Sequence, residues 1–168
     1  MRVLAHLFNG RAAQDTEIFQ SRPGNRIRLR IINAAGDTAY RVGVPGHKIA
    51  LTHKDGFPVQ HQDVDAVVLG MGERIDAILT GQDGYTPLLA ISEEKDGRAC
   101  GLIRTGRGTA PVAATLPSTL DRIVTDGGRL TADDSVLPSS KKPDRIHTRR
   151  LTGSMETTAG APMGAVST

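Results

Sequence analysis

Histidine, cysteine and methionine side chains would give this chain metal chemistry if they converged on one point. The five histidines are His6, His47, His53, His61 and His147, and the single cysteine is Cys100. No two histidines have His-x-His spacing, Cys100 has no neighbouring histidine, and Met155 and Met163 lie near the end of the chain. A site built from a thiolate, imidazoles and a thioether needs all of these groups within bonding distance of one ion. The sequence therefore predicts no metal site.

His47 and His53 are the two histidines whose spacing most needs weighing. Six residues apart on an extended strand, they point to the same face but lie about 20 Å apart at ~3.3 Å per residue, too far to share an ion unless a bulge intervenes. We expect a turn histidine at 47 and a strand-end histidine at 53, each making hydrogen bonds, and we expect His61 to be exposed in a polar loop.

Acidic and nucleophilic residues give no catalytic pattern. Glu93-Glu94 and Asp133-Asp134 are adjacent pairs whose side chains diverge on a strand, and Asp63 and Asp65 flank the expected start of a strand. The chain has no Gly-x-Ser-x-Gly elbow, no phosphate-binding glycine loop and no His-Glu-x-x-His motif. We therefore predict no catalytic, cofactor-binding or metal-binding residues.

Composition and charge exclude two classes of partner. The net charge is +3, but basic residues cluster only at Lys141-Lys142 and Arg149-Arg150, and aromatic residues make up 3% of the chain. A nucleic-acid surface needs clustered basic residues with aromatic rings for stacking. No apolar run approaches the length of a membrane span. We expect neither nucleic acid nor membrane as a partner, and a buried structural thiol at Cys100.

The elements that would position these side chains are short strands. Turn dipeptides such as Asn9-Gly10, Pro23-Gly24 and Asp55-Gly56 recur roughly every 10–14 residues, which is too close for alternating strands and helices. Between them, Arg26–Ile32 alternates arginine with isoleucine and leucine, the pattern of a strand with one buried face. The other predicted strands are Val3–Phe8, Ala39–Val44, Ile49–His53, Val64–Leu69, Arg74–Thr80, Leu88–Ser92 and Ala99–Arg104. About eight strands predict an all-β Greek-key sandwich or barrel.

The pattern weakens after Thr105. We assign residues 1–110 to the β domain, residues 111–155 to a linker with a short helical turn capped by Ser118, and residues 156–168 to a disordered tail. The first ten residues lack the features of a secretory signal, so the chain as written would stay in the cytoplasm.

Five blocks in unbroken order over about residues 4–105 resemble the second, or middle, cupredoxin-like domain of bacterial multicopper oxidases, the laccase and copper-oxidase group. They are Leu7-Phe8-Asn9-Gly10-Arg11, the run from Pro23 to Ala35, Gly46-His47-Lys48, the run from Thr52 to Val59, and the run from Gly70 to Asp76. Ile75 departs from the family, which often has an aromatic residue there. Structural roles suffice for these blocks: Asp55-Gly56 makes a turn, and Glu73 and Arg74 pair with neighbours.

The resemblance implies an oxidoreductase that couples one-electron oxidation of phenols or metal ions to the reduction of dioxygen to water. In that family the copper ligands lie in the first and third domains, and the middle domain is a scaffold that helps wall the substrate cleft. We expect both flanking domains to be missing from this chain; on the C-terminal side, the stretch after Arg149-Arg150 does not continue into the third-domain pattern. We expect a fragment that binds no copper itself, with sister domains supplied in cis or in trans.

One alternative remains open: a free-standing β-sandwich that binds other molecules without redox activity. Location is ambiguous too, because the parent family is often periplasmic or extracellular.

Overall fold

Ten strands form two facing sheets in the computed structural model, which describes residues 5–93, 95–112, 117, 120, 124–137 and 145–150. The strands are β1 Glu17–Gln20, β2 Arg26–Ile32, β3 Tyr40–Gly43, β4 Ile49–Lys54, β5 Phe57–Val64, β6 Ala66–Leu69, β7 Arg74–Thr80, β8 Tyr85–Ser92, β9 Arg98–Arg104 and β10 Val124–Asp126. One sheet has the order β2-β7-β4-β5, and the other has the order β1-β9-β8-β3-β6-β10. The predicted all-β, cupredoxin-like sandwich is confirmed.

Period-two alternation places the core between the sheets. On β2, Leu29 is buried opposite Ala77 of β7, while Arg28 and Arg30 are exposed. The same alternation buries Ile75 and Leu79 on β7. Fully burying an aliphatic side chain of this size stabilises a fold by about 1.5–3 kcal/mol. Val, Ile and Leu thus supply a core that the scarce aromatic residues do not.

Most of the predicted strands are confirmed, two of them, Arg26–Ile32 and Arg74–Thr80, with the predicted bounds. The strand predicted at Val3–Phe8 is wrong over its described residues, because Phe8 and Arg11 instead close a tight turn through two backbone hydrogen bonds. The stretch Val64–Leu69 is interrupted: Val64 ends β5 and a bend precedes β6. β1, β10 and β5 up to Asp63 were not among the predicted strands.

Residues after β9 form a strap, which we define by its described residues 106–112, 117, 120 and 124–137. Leu120 is buried with Leu89, Cys100 and Leu102 on the side of the six-stranded sheet away from the core. Further on, β10 pairs in parallel with β6. Ala132 then bridges β5 at the edge of the other sheet. The described strap residues therefore cover part of the outer side of the six-stranded sheet and link an edge strand of each sheet.

The chain divides into two compact units, residues 1–137 and residues 138–168. In the second unit the described residues, 145–150, are all exposed and form no helix or strand. The predicted tail, residues 156–168, the predicted cap Ser118, and Lys141-Lys142, Met155 and Met163 lie outside the described residues. Among the described residues no helix has the length and hydropathy needed to span a membrane.

Asn33 has a structural role in the family-like motif that runs from Pro23 to Ala35. Its side chain is buried; Nδ2 donates to the carbonyls of Thr38 at 2.8 Å and Leu69 at 3.0 Å, and Oδ1 accepts from the backbone of Ala35 at 3.0 Å. A buried amide with three partners ties the end of β2 to the end of β6. The phrase therefore has a structural role.

Two other family-like motifs, Lys54-Asp55-Gly56 and Glu73-Arg74, are joined by hydrogen bonds and ion pairs. Asp55 and Gly56 both have positive φ, the requirement of a two-residue hairpin turn between β4 and β5. The Asp55 carboxylate accepts from the backbone N–H of Arg74 at 2.8 Å, and Lys54 Nζ donates to Glu73 at 2.6 Å. The hydrogen bonds from Lys54 and from the Arg74 backbone lower the pKa of the Asp55 carboxyl. The expected pairing of Glu73 and Arg74 with neighbours is confirmed.

Candidate functional site

Each histidine of the described residues is placed on a different element. His6 Nδ1 lies 2.7 Å from the hydroxyl of Tyr40, and its Nε2 lies 3.2 Å from the carbonyl of Asp96. A carbonyl only accepts, so Nε2 carries the hydrogen and Nδ1 accepts from the tyrosine. The ring thus holds the N-terminal segment against β3 and the turn before β9.

His53 and His61 lie on neighbouring strands. His53 Nδ1 is 3.1 Å from the hydroxyl of Thr52 on β4, where a bulge follows Leu51. His61 is exposed on β5, so its predicted exposure is confirmed but the predicted loop is wrong. That stretch is a strand because β4 on one side and the strap on the other bond its backbone. His147 is exposed in the second unit.

Cys100 is a buried thiol, as expected. Its exposure is 2%, its Sγ–H donates to the carbonyl of Gly101 at 3.4 Å, and burial raises the pKa of the thiol. A copper–thiolate site needs the opposite setting, an ionised sulfur with imidazoles beside it. Across the described ranges, no group of three or more His, Cys, Asp or Glu side chains lies close enough to hold a metal ion. The described residues do not fit a copper centre.

The acidic residues weighed in the sequence lie apart. Glu93 pairs with Arg41 at 2.8 Å, and its neighbour Glu94 is outside the described residues. Asp133 accepts from the Ser135 backbone at 3.0 Å and caps a short 3₁₀ helix, Asp134–Val136. Asp63 is exposed near the end of β5. These are structural or solvated positions.

A different feature of the chain fits an interaction: the outer face of the four-stranded sheet. Its residues are the exposed alternate positions of β2 and their partners on β7. Arg28 and Arg30 share the carboxylate of Asp76, with Arg28 Nε at 3.1 Å and Arg30 Nε at 3.5 Å. Ile32 on the same face is 63% exposed. Arginines held in place beside exposed apolar groups are common in protein interfaces.

A groove of about 410 Å³ crosses this outer face where β2 and β4 begin and β7 ends. Its floor includes Ala50 and Ile78, which are cross-strand partners. Its wall includes His47 from the β3–β4 loop, and its rim includes Arg26 and Asp63. Both rim residues are exposed, and neither has an ion-pair partner in the part of the chain that the structure describes.

His47 has an unmet hydrogen-bonding capacity in this wall. Its Nδ1 lies 3.0 Å from the carbonyl of Pro45, so Nδ1 donates and the neutral ring carries a lone pair on Nε2. That Nε2 is buried without a hydrogen-bond partner. A buried polar atom left unpaired costs about 1–3 kcal/mol. The prediction of a turn histidine that makes a hydrogen bond is confirmed, and its Nε2 has no hydrogen-bond partner among the described residues.

Sequence reasoning identified the arginine row and missed the groove. Arg26, His47 and Asp63 are separated by 16 to 37 positions and belong to three elements. No local spacing connects them, because the register of β2, β7, β4 and β5 alone brings them to one face.

Comparison with known proteins gives a consistent result. A family model described as multicopper oxidase matches residues 2–106. The multicopper oxidase MmcO of Mycobacterium tuberculosis is 43% identical over 116 residues, covering 69% of this chain and 23% of that protein. Copper resistance protein A of Escherichia coli is 31% identical, covering 66% of this chain and 18% of that protein. The chain thus spans less than a quarter of the length of these relatives.

Solved structures support the fold. Fet3p, a multicopper oxidase that functions in iron import, superposes with a TM-score of 0.61 at 13% identity, covering 71% of this chain and 25% of that chain. The laccase from Botrytis aclada gives a TM-score of 0.51 at 18% identity, covering 62% of this chain and 21% of its own. At these identities the likeness concerns the sandwich alone.

Proposed function

The chain belongs to the multicopper oxidase family, and from that premise we propose that it serves as a copper-free middle domain that supports the copper-bearing parts of such an oxidase. The single observation that carries the proposal is the setting of Cys100. It is buried as a thiol next to strap residue Leu120, and its hydrogen-bond partner within the described residues is the carbonyl of Gly101, not an imidazole. A scaffold role needs a stable sandwich and exposed faces, and both are present.

In this proposal the chemistry belongs to the whole oxidase. Copper held by sister domains would supply the redox chemistry: four one-electron oxidations of substrate, coupled with four protons to the reduction of one dioxygen to two waters. The residues of this chain bind neither copper nor dioxygen; they fix the distance between the domains on either side and form part of the wall of the substrate cleft. Rigidity is what such a role demands, and the locked turns at Asp55 and Gly70 supply it.

Sister cupredoxin domains are the partners we propose, in cis within a longer protein or in trans. The strap affects where we place the C-terminal boundary of this domain. From the sequence we placed that boundary at residue 110, but β10 and the bridge at Ala132 belong to the sheets. We therefore propose that the domain runs to Leu137, where the first compact unit ends.

A specific observation also favours the alternative of a free-standing binding module. The six-stranded sheet is apolar on both sides, and the chain's own strap covers the side that faces away from the core. A domain that covers its own apolar sheet needs no sister domain to stay soluble. Such a module would use the outer face of the four-stranded sheet without any redox role.

The experiment is a domain replacement in MmcO. The 116-residue segment that this chain matches is exchanged for the corresponding residues of this chain. The scaffold proposal expects a chimera that keeps its copper and its oxidase activity, whereas an unrelated β-sandwich of equal length in the same place abolishes both. A chimera that folds but holds no copper would contradict the scaffold role and leave the binding module as the better reading.

Copper titration of the isolated 168-residue chain gives a second readout. We expect no blue charge-transfer absorption, because the thiol of Cys100 is buried and protonated. Cys100→Ser is the control. A blue band that disappears in this variant would show that the chain itself holds copper.

A further inference from the structure

We propose that the groove beside His47 receives one polar loop of a sister cupredoxin domain, with an acidic side chain of the loop on Arg26 and a basic side chain on Asp63. This inference rests on the proposed function, because it names the surface through which the scaffold holds its neighbour.

The charges at the two ends of the groove set the chemistry and length of the loop. Arg26 lies on β2 and Asp63 on β5, the two edge strands of the four-stranded sheet. Across the sheet Asp63 is in register with Arg28, three interstrand spacings of about 4.8 Å away, and Arg26 lies two residues further along β2, so the backbones of Arg26 and Asp63 are ~16 Å apart. That distance keeps the two charges from pairing with each other, and it is the length of about five residues of extended chain. A loop with an acid and a base at its two ends would satisfy both.

His47 supplies the contact in the middle. Because its Nδ1–H is committed to Pro45, only Nε2 is left to bind a partner, and in the neutral ring it accepts. A hydroxyl or backbone N–H of the seated loop, reached by a small rotation of the partly exposed ring, would fill this place. Unpaired buried atoms of this kind are uncommon in folded proteins and call for an explanation.

The surroundings of the groove are already organised for docking. Asp76 holds Arg28 and Arg30 in place, so these long side chains lose little freedom when a partner arrives. The floor at Ala50 and Ile78 is small and apolar, which lets a backbone approach closely. Small-molecule pockets are lined mainly by apolar and aromatic side chains. The charged rim here instead resembles a protein–protein contact.

The length of the relatives indicates a sister domain as the occupant. The chain covers 23% of MmcO, so most of such a protein lies outside this region and is available to contact it. On the far side of the six-stranded sheet, strap residues Ala110 and Leu120 already pack against the apolar side chains. No described residue gives the outer face of the four-stranded sheet such a cover, as the exposure of Arg30 at 73% and Ile32 at 63% shows.

The test uses the MmcO chimera with single substitutions in the transplanted segment. Arg26→Glu and His47→Ala should each lower the copper-loaded, active fraction, Arg26→Glu tenfold or more because it places like charges together. Arg26→Lys keeps the charge and should retain most of the activity. Matched controls are Arg107→Glu and His61→Ala: both residues are exposed and neither lines the groove, although His61 lies two residues from Asp63 on β5, and each variant should lose less than twofold.

Each outcome separates the two proposals. The thermal midpoints of the same variants in the isolated chain show whether any substitution simply unfolds the domain; Arg26→Glu should shift the midpoint no more than Arg107→Glu. An inactive chimera with the unaltered segment overturns the proposed function. A chimera that is active, and in which Arg26→Glu and His47→Ala behave like their controls, overturns the docking groove and leaves the scaffold role standing.

Discussion

Replacing Asn33 by alanine should destabilise this domain more than any change of a polar surface residue. The side chain makes three hydrogen bonds, and its exposure is 6%. Alanine leaves the carbonyls of Thr38 and Leu69 and the N–H of Ala35 without these partners. At about 1 kcal/mol for each hydrogen bond lost, the total is about 3 kcal/mol. That is a large part of the 5–15 kcal/mol typical of a whole domain.

The assay is urea unfolding of the isolated chain, followed by circular dichroism and by the fluorescence of its two tyrosines. For a unit of this size, 3 kcal/mol also corresponds to a melting temperature lower by roughly 10–15 °C. Asn33→Asp keeps the acceptor and replaces the donor group by a charge facing two carbonyls, so it should be no less destabilising at pH 7.

Asn25→Ala is the matched control, because Asn25 is exposed and its side chain makes a single, long hydrogen bond within the described residues, 3.4 Å to the hydroxyl of Ser21. Changes at such positions usually stay within about 0.5 kcal/mol. If Asn33→Ala falls within that range of Asn25→Ala, with an unchanged slope against urea, the account of the phrase as a structural tie between β2 and β6 is refuted.

Three further results are expected. Cys100 should react with a thiol reagent only on unfolding, so that urea raises the rate steeply; fast reaction in the native chain would contradict its burial. Gly101→Ala should destabilise the domain because its new Cβ would meet the ring of Phe8 at 2.8 Å, whereas Gly36→Ala, with nothing within 4 Å, is the neutral control. Equal midpoints would count against that packing. The stability contributed by Asp55 is fully present above about pH 4 and is lost as the pH falls through its lowered pKa, so the advantage of wild type over Asp55→Asn should shrink from pH 7 to pH 2 and not grow.

The motifs behind the scaffold role could be recognised in the sequence, whereas the docking groove could not. The family phrases are local, and each keeps its function wherever the chain places it: a hairpin turn at Asp55-Gly56, a buried amide at Asn33, a charged lock at Glu73. These motifs can be recognised from the sequence because glycine allows the positive φ of a turn and asparagine hydrogen-bonds to nearby backbone groups. The groove has no such phrase, since its residues are ordinary surface types.

The three strands that were not predicted, β1, β5 and β10, also depend on tertiary pairing and not on local sequence pattern. β5 runs through Gln60, His61, Gln62 and Asp63, a polar stretch without alternation. It is extended because β4 and the strap both bond to its backbone, and its side chains are polar because they face solvent. β1 and β10 are short, and each pairs in parallel with a strand distant in sequence. Propensity within three or four residues does not identify such strands.

The sequence by itself determined the two-sheet sandwich, because alternation of Leu29 with Arg28 and Arg30 leaves only one face to bury and glycine turns set the strand lengths. It also determined the family, through five motifs that occur in the family's order along the chain. Only the tertiary structure decided that the strap links an edge strand of each sheet and that Arg26, His47 and Asp63 share one groove. Those facts depend on strand order and register, which bring together residues that no local interaction connects.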